Sequence, residues 1–287
     1  MAAWLWLQAH LPSLAFDAIK FGNGLLLLAL LMLPLERLFA RRPEQPSVLK
    51  RAGLGRDVVY YFLTSLLPMR LLALPLAGVV WLLPQGLIDW SGWPFWARLA
   101  VSLSVAEIGF YWGHRAMHAQ PWLWRLHRVH HSAEQMDWLI NTRAHPLDLV
   151  LTRASGLLPL YALGLAQAAT SGQIDTMALW VTLIGSVWGY VIHANLRWRL
   201  GPLEQIISSP AFHHEHHRRL GVDGRTHNYA ALIPWVDRLF GTFKLEPTGP
   251  AEFGLDEPIA AGIAAQLIDP FLPLNPSPSS PPQKRSP

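Results

Sequence analysis

Three runs of histidine hold the chemistry this chain could do. The first is H-R-A-M-H at 114–118, the second H-R-V-H-H at 127–131, and the third H-H-E-H-H at 213–217. On a helix, residues three and four apart share a face. His114 and His118 then point the same way, as do His127, His130 and His131, and likewise His213, His216 and His217. Neutral imidazole is the commonest metal ligand in proteins, and it suits iron, zinc, copper and nickel. A single pair of this kind is more often an ordinary surface or core pair than a metal site. Here eleven of the thirteen histidines fall between residues 114 and 217, and solvated charge runs use Lys and Glu instead. A structural zinc site closes with about four ligands. Eight box histidines are too many for one such ion, so two metals are the natural count.

The elements that must position these residues are apolar. Of the 287 residues, 51% are hydrophobic and 15% are charged, against about 25% charged in an ordinary soluble domain. The mean hydropathy is +0.22 and there are fourteen Trp. This is the composition of a membrane protein. The net charge of +4 does not indicate nucleic acid, because the Lys and Arg flank apolar spans, where membrane topology explains them. The absence of Cys excludes disulfides, thiolate ligands, iron–sulfur clusters and Cys nucleophiles.

Residues 1–20 lack the basic start of a secretory signal, the first basic residue being Lys20. Trp4 and Trp6 suit a membrane interface, and His10 is an ordinary polar residue. Residues 21–39 form the first span, near the about 20 residues a bilayer core requires. Residues 58–83 are a second apolar run, interrupted by Pro68, Arg70 and Pro75. It is either a span with a costly Arg facing protein or water, or a bent or re-entrant helix. Spans follow at 96–112, 147–169 and 176–193. Glu107 lies seven residues before His114 on the same helical face. It could accept from a ligand imidazole or serve a local partner. The Pro- and Ser-rich stretch at 270–287 reads as disordered. The chain thus divides into N-terminal membrane helices (1–95), a catalytic domain (96–248) and a C-terminal tail (249–287).

The loops at 40–57, 113–146 and 194–248 are rich in Arg, whereas 84–95 and 170–175 contain no Lys or Arg. The positive-inside rule puts the first three on the cytoplasmic side. All three histidine clusters then lie on one side of the membrane. Orientation and chemistry, read from different residues, agree.

These residues resemble the membrane fatty acid hydroxylase and sterol desaturase superfamily. Its ordered pattern is H-x3-H, H-x2-H-H and a second H-x2-H-H, here His114/His118, His127/His130/His131 and His213/His216/His217. R-A-H-P at 143–146, H-A-N at 193–195, and N-Y-A with W-V-D-R-L-F-G-T in 228–242 extend the likeness over roughly residues 95–245. The resemblance implies an all-α integral membrane fold, with four to five transmembrane helices under a cytoplasmic His-rich helical cap. It also implies two iron ions, non-haem, held by the eight box residues. O2 is the co-substrate, and the reaction hydroxylates or desaturates a C–H position of a lipid. His193 falls where many members have a further ligand, and His145 matches a recurring histidine. His214 and His227 depart from the pattern and stay outside the ligand set. Asn195 could hydrogen-bond a ligand imidazole or close a helix. Asp148, three residues after His145, could orient that imidazole or cap the next helix.

The one Gly-rich stretch, around 53–55, lacks the G-x-G-x-x-G spacing of a dinucleotide site. Electrons must then come from a separate donor of ferredoxin or cytochrome b5 type. Arg218 and Arg219 could dock it, although setting topology or meeting anionic lipid is the plainer role. Localisation follows as a multi-pass membrane protein, in a bacterial inner membrane before an endoplasmic reticulum. The rivals are a zinc protease, a haem carrier and a metal carrier or sensor. The first needs H-E-x-x-H, and His214-Glu215-His216-His217-Arg218 lacks its second histidine.

Overall fold

The computed structural model describes residues 13–82, 88–167, 176–219, 226–257 and 259–273; of residues 69–70, 72–77 and 79–80 it describes the backbone alone. Trp4, Trp6, His10, the Arg70 side chain, the turn at 170–175 and the tail from 274 lie outside the described residues. The helices are α1 (Ser13–Phe39), α2 (Leu54–Leu82), α3 (Phe95–Ala119), α4 (Pro121–His131), α5 (Pro146–Ala162), α6 (Met177–His193), α7 (Pro210–His216), α8 (Trp235–Leu239) and α9 (Ile263–Ile268). Single 3-10 turns lie at Trp138–Thr142, Gly201–Gln205 and Asp269–Phe271. Among the described residues there is no β-sheet; two isolated bridges, Ala40 with Leu196 and Arg218 with Phe253, tie loops together.

Helix α1 begins well before residue 21, because Asp17 and Lys20 close an ion pair at 2.8 Å across one turn. Among the described residues it is the helix long and apolar enough to cross a bilayer; α6 is apolar but shorter. Helix α3 is diluted by Arg98, Glu107, His114 and Arg115. Leu26, Leu27, Leu30 and Leu31 on α1, and Leu179 and Leu183 on α6, face outward, Leu30 being 73% exposed.

The histidine boxes lie on helices, as their spacing suggested, with His217 directly following α7; the connection at 113–146 holds the end of α3 and all of α4. Helix α3 runs on to Ala119, so the first box forms its last turns. Gln120 is extended, as a residue before proline must be, and Pro121 opens α4. The most extensive helix pair is α3 with α5. A methyl group at Gly109 would lie 2.1 Å from the Ser155 carbonyl oxygen, and one at Gly156 would lie 3.1 Å from the Ala106 carbonyl oxygen. Small residues let the two backbones approach closely. Leu99, Ala106, Leu157, Leu160, Met177 and Val181 fill the space between α3, α5 and α6. This packing sets the first turn of α5 beside the histidine-bearing ends of α3 and α4.

Candidate metal centre

Nine histidines from four helices meet in two groups. His114, His118, His127, His131 and His216 form one; His130, His193, His213 and His217 form the other. Within each group the ligand nitrogens lie within 4.8 Å of one another. His118 is half-buried and the other eight are buried. Each H-x2-H-H box divides between the groups. On α4, His127 and His131 serve one group and His130 the other; on α7 and the residue after it, His213 and His217 serve one and His216 the other. On a helix the residue four further on lies about 40° to one side of the first, whereas the residue three further on lies about 60° to the other side. One helix therefore feeds two sites.

The ring tautomers follow from the partners. The Nδ1–H of His114 donates to the Tyr229 carbonyl (2.7 Å), that of His216 to the His227 carbonyl (2.8 Å), and that of His127 to Asp148 Oδ2 (2.8 Å). His130 donates to the Arg143 carbonyl (3.1 Å) and His193 to the Gly189 carbonyl (2.7 Å). A neutral imidazole with its proton on Nδ1 carries a lone pair on Nε2. Yet His114 Nε2 faces His127 Nε2 at 3.1 Å, and His193 Nε2 faces His130 Nε2 at 3.1 Å. Two lone pairs at that distance repel, and neither ring has a proton left to place between them. Nε2 of His118 and of His216 is buried with no hydrogen-bond partner. A cation resolves all of these contacts. Imidazole nitrogens about 2.0–2.1 Å from one ion lie about 2.8–3.4 Å from each other at adjacent octahedral or tetrahedral positions, so the donor set fits a metal.

Burial keeps the rings neutral. Desolvation first, and neighbouring imidazoles second, hold His130, His131, His213 and His217 well below the usual imidazole range. Neutral imidazole is the form that binds metal.

The remaining sequence candidates lie elsewhere. His145 joins neither group: its Nδ1 accepts from the Leu147 amide (3.2 Å), capping α5, and its Nε2 donates to the Leu267 carbonyl (3.1 Å). The Asp148 carboxylate receives His127, and Asp148 meets His145 through the backbone instead, its amide donating to the His145 carbonyl (3.0 Å). Glu107 Oε1 accepts from the amides of Ala231 (2.6 Å) and Leu232 (2.9 Å), not from an imidazole. Asn195 is bound on both sides to the Arg42 backbone, at 3.0 and 3.1 Å. His214 accepts from Arg41 at 2.9 Å and lies outside both groups. His227 contributes its carbonyl.

Several supporting residues escaped the sequence reading. Asp237 accepts from the amides of Tyr229 and Ala230, both at 2.8 Å, and so fixes the carbonyl that receives His114. Arg143 grips Asp57 through Nε and Nη2, both at 2.6 Å, and Arg51 pairs with Asp57 (2.5 Å) and Asp137. This buried network ties the carbonyl that receives His130 to the start of α2. The motifs R-A-H-P and W-V-D-R held the signal, but motif spacing does not reveal which partner a side chain takes.

A cavity of about 230 Å³ runs up to both groups, lined at its inner end by His114, His127, His130, His193 and His213. Its apolar walls include Leu103, Phe110, Leu149, Leu157 and Val181. A smaller opening of about 40 Å³ touches His118, His131 and His216 beside Trp124.

The sequence pattern of the fatty acid hydroxylase family matches residues 99–242, half of the chain. The chain belongs to the fatty acid hydroxylase family. Both histidine groups fall within the matched stretch. The chain is similar to ornithine lipid hydroxylase OlsE of Rhizobium tropici, at 35% identity over 181 residues, 62% of this chain and 52% of that protein. It is similar to alkylglycerol monooxygenase of Homo sapiens at 30% identity, over 57% of this chain and 34% of that protein. Methylsterol monooxygenase 2-2 of Arabidopsis thaliana is 26% identical, over 66% of this chain and 67% of that protein. The chain thus spans about half the length of the first relative and a third of the second. No solved structure matches.

Proposed function

We propose that this fatty acid hydroxylase family member is an O2-dependent non-haem diiron oxidoreductase that hydroxylates a C–H position of a lipid. The observation that carries the reading is the pairing of Nε2 lone pairs in two buried imidazole groups at the end of an apolar cavity. His114, His118, His127, His131 and His216 would hold one iron; His130, His193, His213 and His217 would hold the other. Two irons bound there supply the activation of O2 that an unactivated C–H bond requires. The chain's own residues do the rest: Asp148 and the backbone carbonyls fix the rings, and the apolar walls exclude water and orient a hydrocarbon chain. The same ligands could serve desaturation. Hydroxylation is favoured because the relatives' names include a lipid hydroxylase and two monooxygenases.

Electrons come from a separate protein of ferredoxin or cytochrome b5 type. Four to five helices cross the membrane, with the histidine end on the cytoplasmic face of a bacterial inner membrane. The outward leucines of α1 and α6 support a place for those two helices in the bilayer. The zinc-hydrolase alternative is disfavoured by Glu215, whose carboxylate is held by Arg218 at 2.6 Å. Metal analysis of the purified protein tests the reading together with lipid mass spectrometry of cells with and without it. About two irons per chain, no haem absorption and a lipid gaining one oxygen are the expected results. Stoichiometric zinc with no O2 consumption overturns the proposal.

A further inference from the structure

The cavity holds one charge without a partner among the described residues. Three charged side chains line it besides the histidines: Glu107, Asp148 and Arg153. Glu107 is held by two backbone amides and Asp148 by His127. The Arg153 guanidinium makes no hydrogen bond or ion pair among the described residues. Helix α2 also packs on α5, and its residues 69–82 contain no Asp or Glu. A cation in an apolar surround is costly without a partner. Neutral hydrogen-bonding groups, those of Asn141, Thr182, Ser186 and Tyr190, line the same cavity.

Arg153 lies five residues past Asp148 on α5, about 7.5 Å along the helix axis. Side chains on a helix lean toward its N-terminus, and for α5 that is the end that meets the histidines. A guanidinium offers a planar fork of donors matched to a carboxylate or phosphate. We infer that Arg153 reads an oxyanion on the substrate, so that the cavity selects amphiphiles carrying a carboxylate or phosphate over neutral ones with the same chain.

The inference rests on the lipid-hydroxylase reading for the identity of the cavity as the substrate site. Its test, however, is a binding measurement that needs no turnover. Displacement of a fluorescent fatty acid from the detergent-purified, metal-loaded protein is measured with palmitate, monohexadecyl phosphate and hexadecanol. The unaltered protein is expected to bind at least one of the two anions about 10–100-fold more tightly than hexadecanol, the range of a hydrogen-bonded charge. Which anion wins separates the carboxylate from the phosphate source. Arg153→Gln is expected to remove the preference while leaving hexadecanol binding as it was, and Arg153→Lys to retain part of it. Metal content of each variant shows that the centre is intact. Equal binding of all three probes to the unaltered protein overturns the inference without any variant. So does a preference that survives in Arg153→Gln. Failure of the hydroxylase reading shows instead as absent iron or absent oxygen insertion, which this binding assay does not touch.

Discussion

The two imidazole groups share α4 and the α7 segment, but α3 serves the larger alone and α6 the smaller alone, and the groups face different surroundings. In the four-histidine group, His130, His193 and His213 all border the long cavity. In the five-histidine group, His114 and His127 border it, while His118, His131 and His216 line the small opening beside Trp124. The supports differ too. The larger group includes a charged support, Asp148 on His127. Among the described residues the smaller group is oriented by the Arg143 and Gly189 carbonyls, and His213 Nδ1 has no hydrogen-bond partner. A carboxylate behind an imidazole raises the basicity of the ligand. The larger group is therefore the better donor set, and the smaller is the one turned most fully toward the long cavity.

Ligand loss is the strongest way to break that comparison. His193→Ala removes one of four donors, and activity should fall by more than the about 10–100-fold usual for a supporting residue, with loss of iron from the smaller group. His118→Ala removes the half-buried fifth donor of the larger group and should retain more iron and more activity. Equal losses would show that the groups do not differ in donor redundancy. Iron per chain, measured by atomic emission, decides.

Asp57→Ala comes next. It strands Arg51 and Arg143 in a buried site, and breaking such a network costs about 3–5 kcal/mol. Thermal unfolding in detergent should register it, and iron should leave the smaller group first, because Arg143 carries the carbonyl that orients His130. Asp148→Asn keeps the shape but removes the charge behind His127. A decrease of about 10–100-fold in iron affinity or activity is expected, confined to the larger group. The smallest effect is expected of His145→Asn. Asn preserves a side-chain cap on α5, so the change should cost no more than about 1 kcal/mol and leave the iron content unaltered. Loss of iron in that variant would add His145 to the ligand set.

Much of this was legible in the sequence. The box spacing fixed which histidines share a helix, since that depends only on local periodicity. The apolar spans and the Arg-rich loops fixed one end for all three boxes. What periodicity cannot provide is the partner across the fold. Glu107 lies about two helical turns before His114 on the same face, yet its oxygen meets amides more than a hundred residues away. Asp148 looked closer to His145 than to His127, because three residues along a chain read as nearer than a neighbouring helix. The allotment of each box to two groups was likewise hidden. It needs the crossing of α3 with α5, and so the close approach at Gly109 and Gly156.

The division of one short helix between two sites has a mechanical consequence. His127, His130 and His131 hang from a single backbone, and so do His213, His216 and His217. Turning either segment about its long axis would tighten one set of donors while loosening the other. The two centres therefore behave as opposite pans of a balance: a disturbance felt by one is transmitted to its companion through the pitch of the peptide chain.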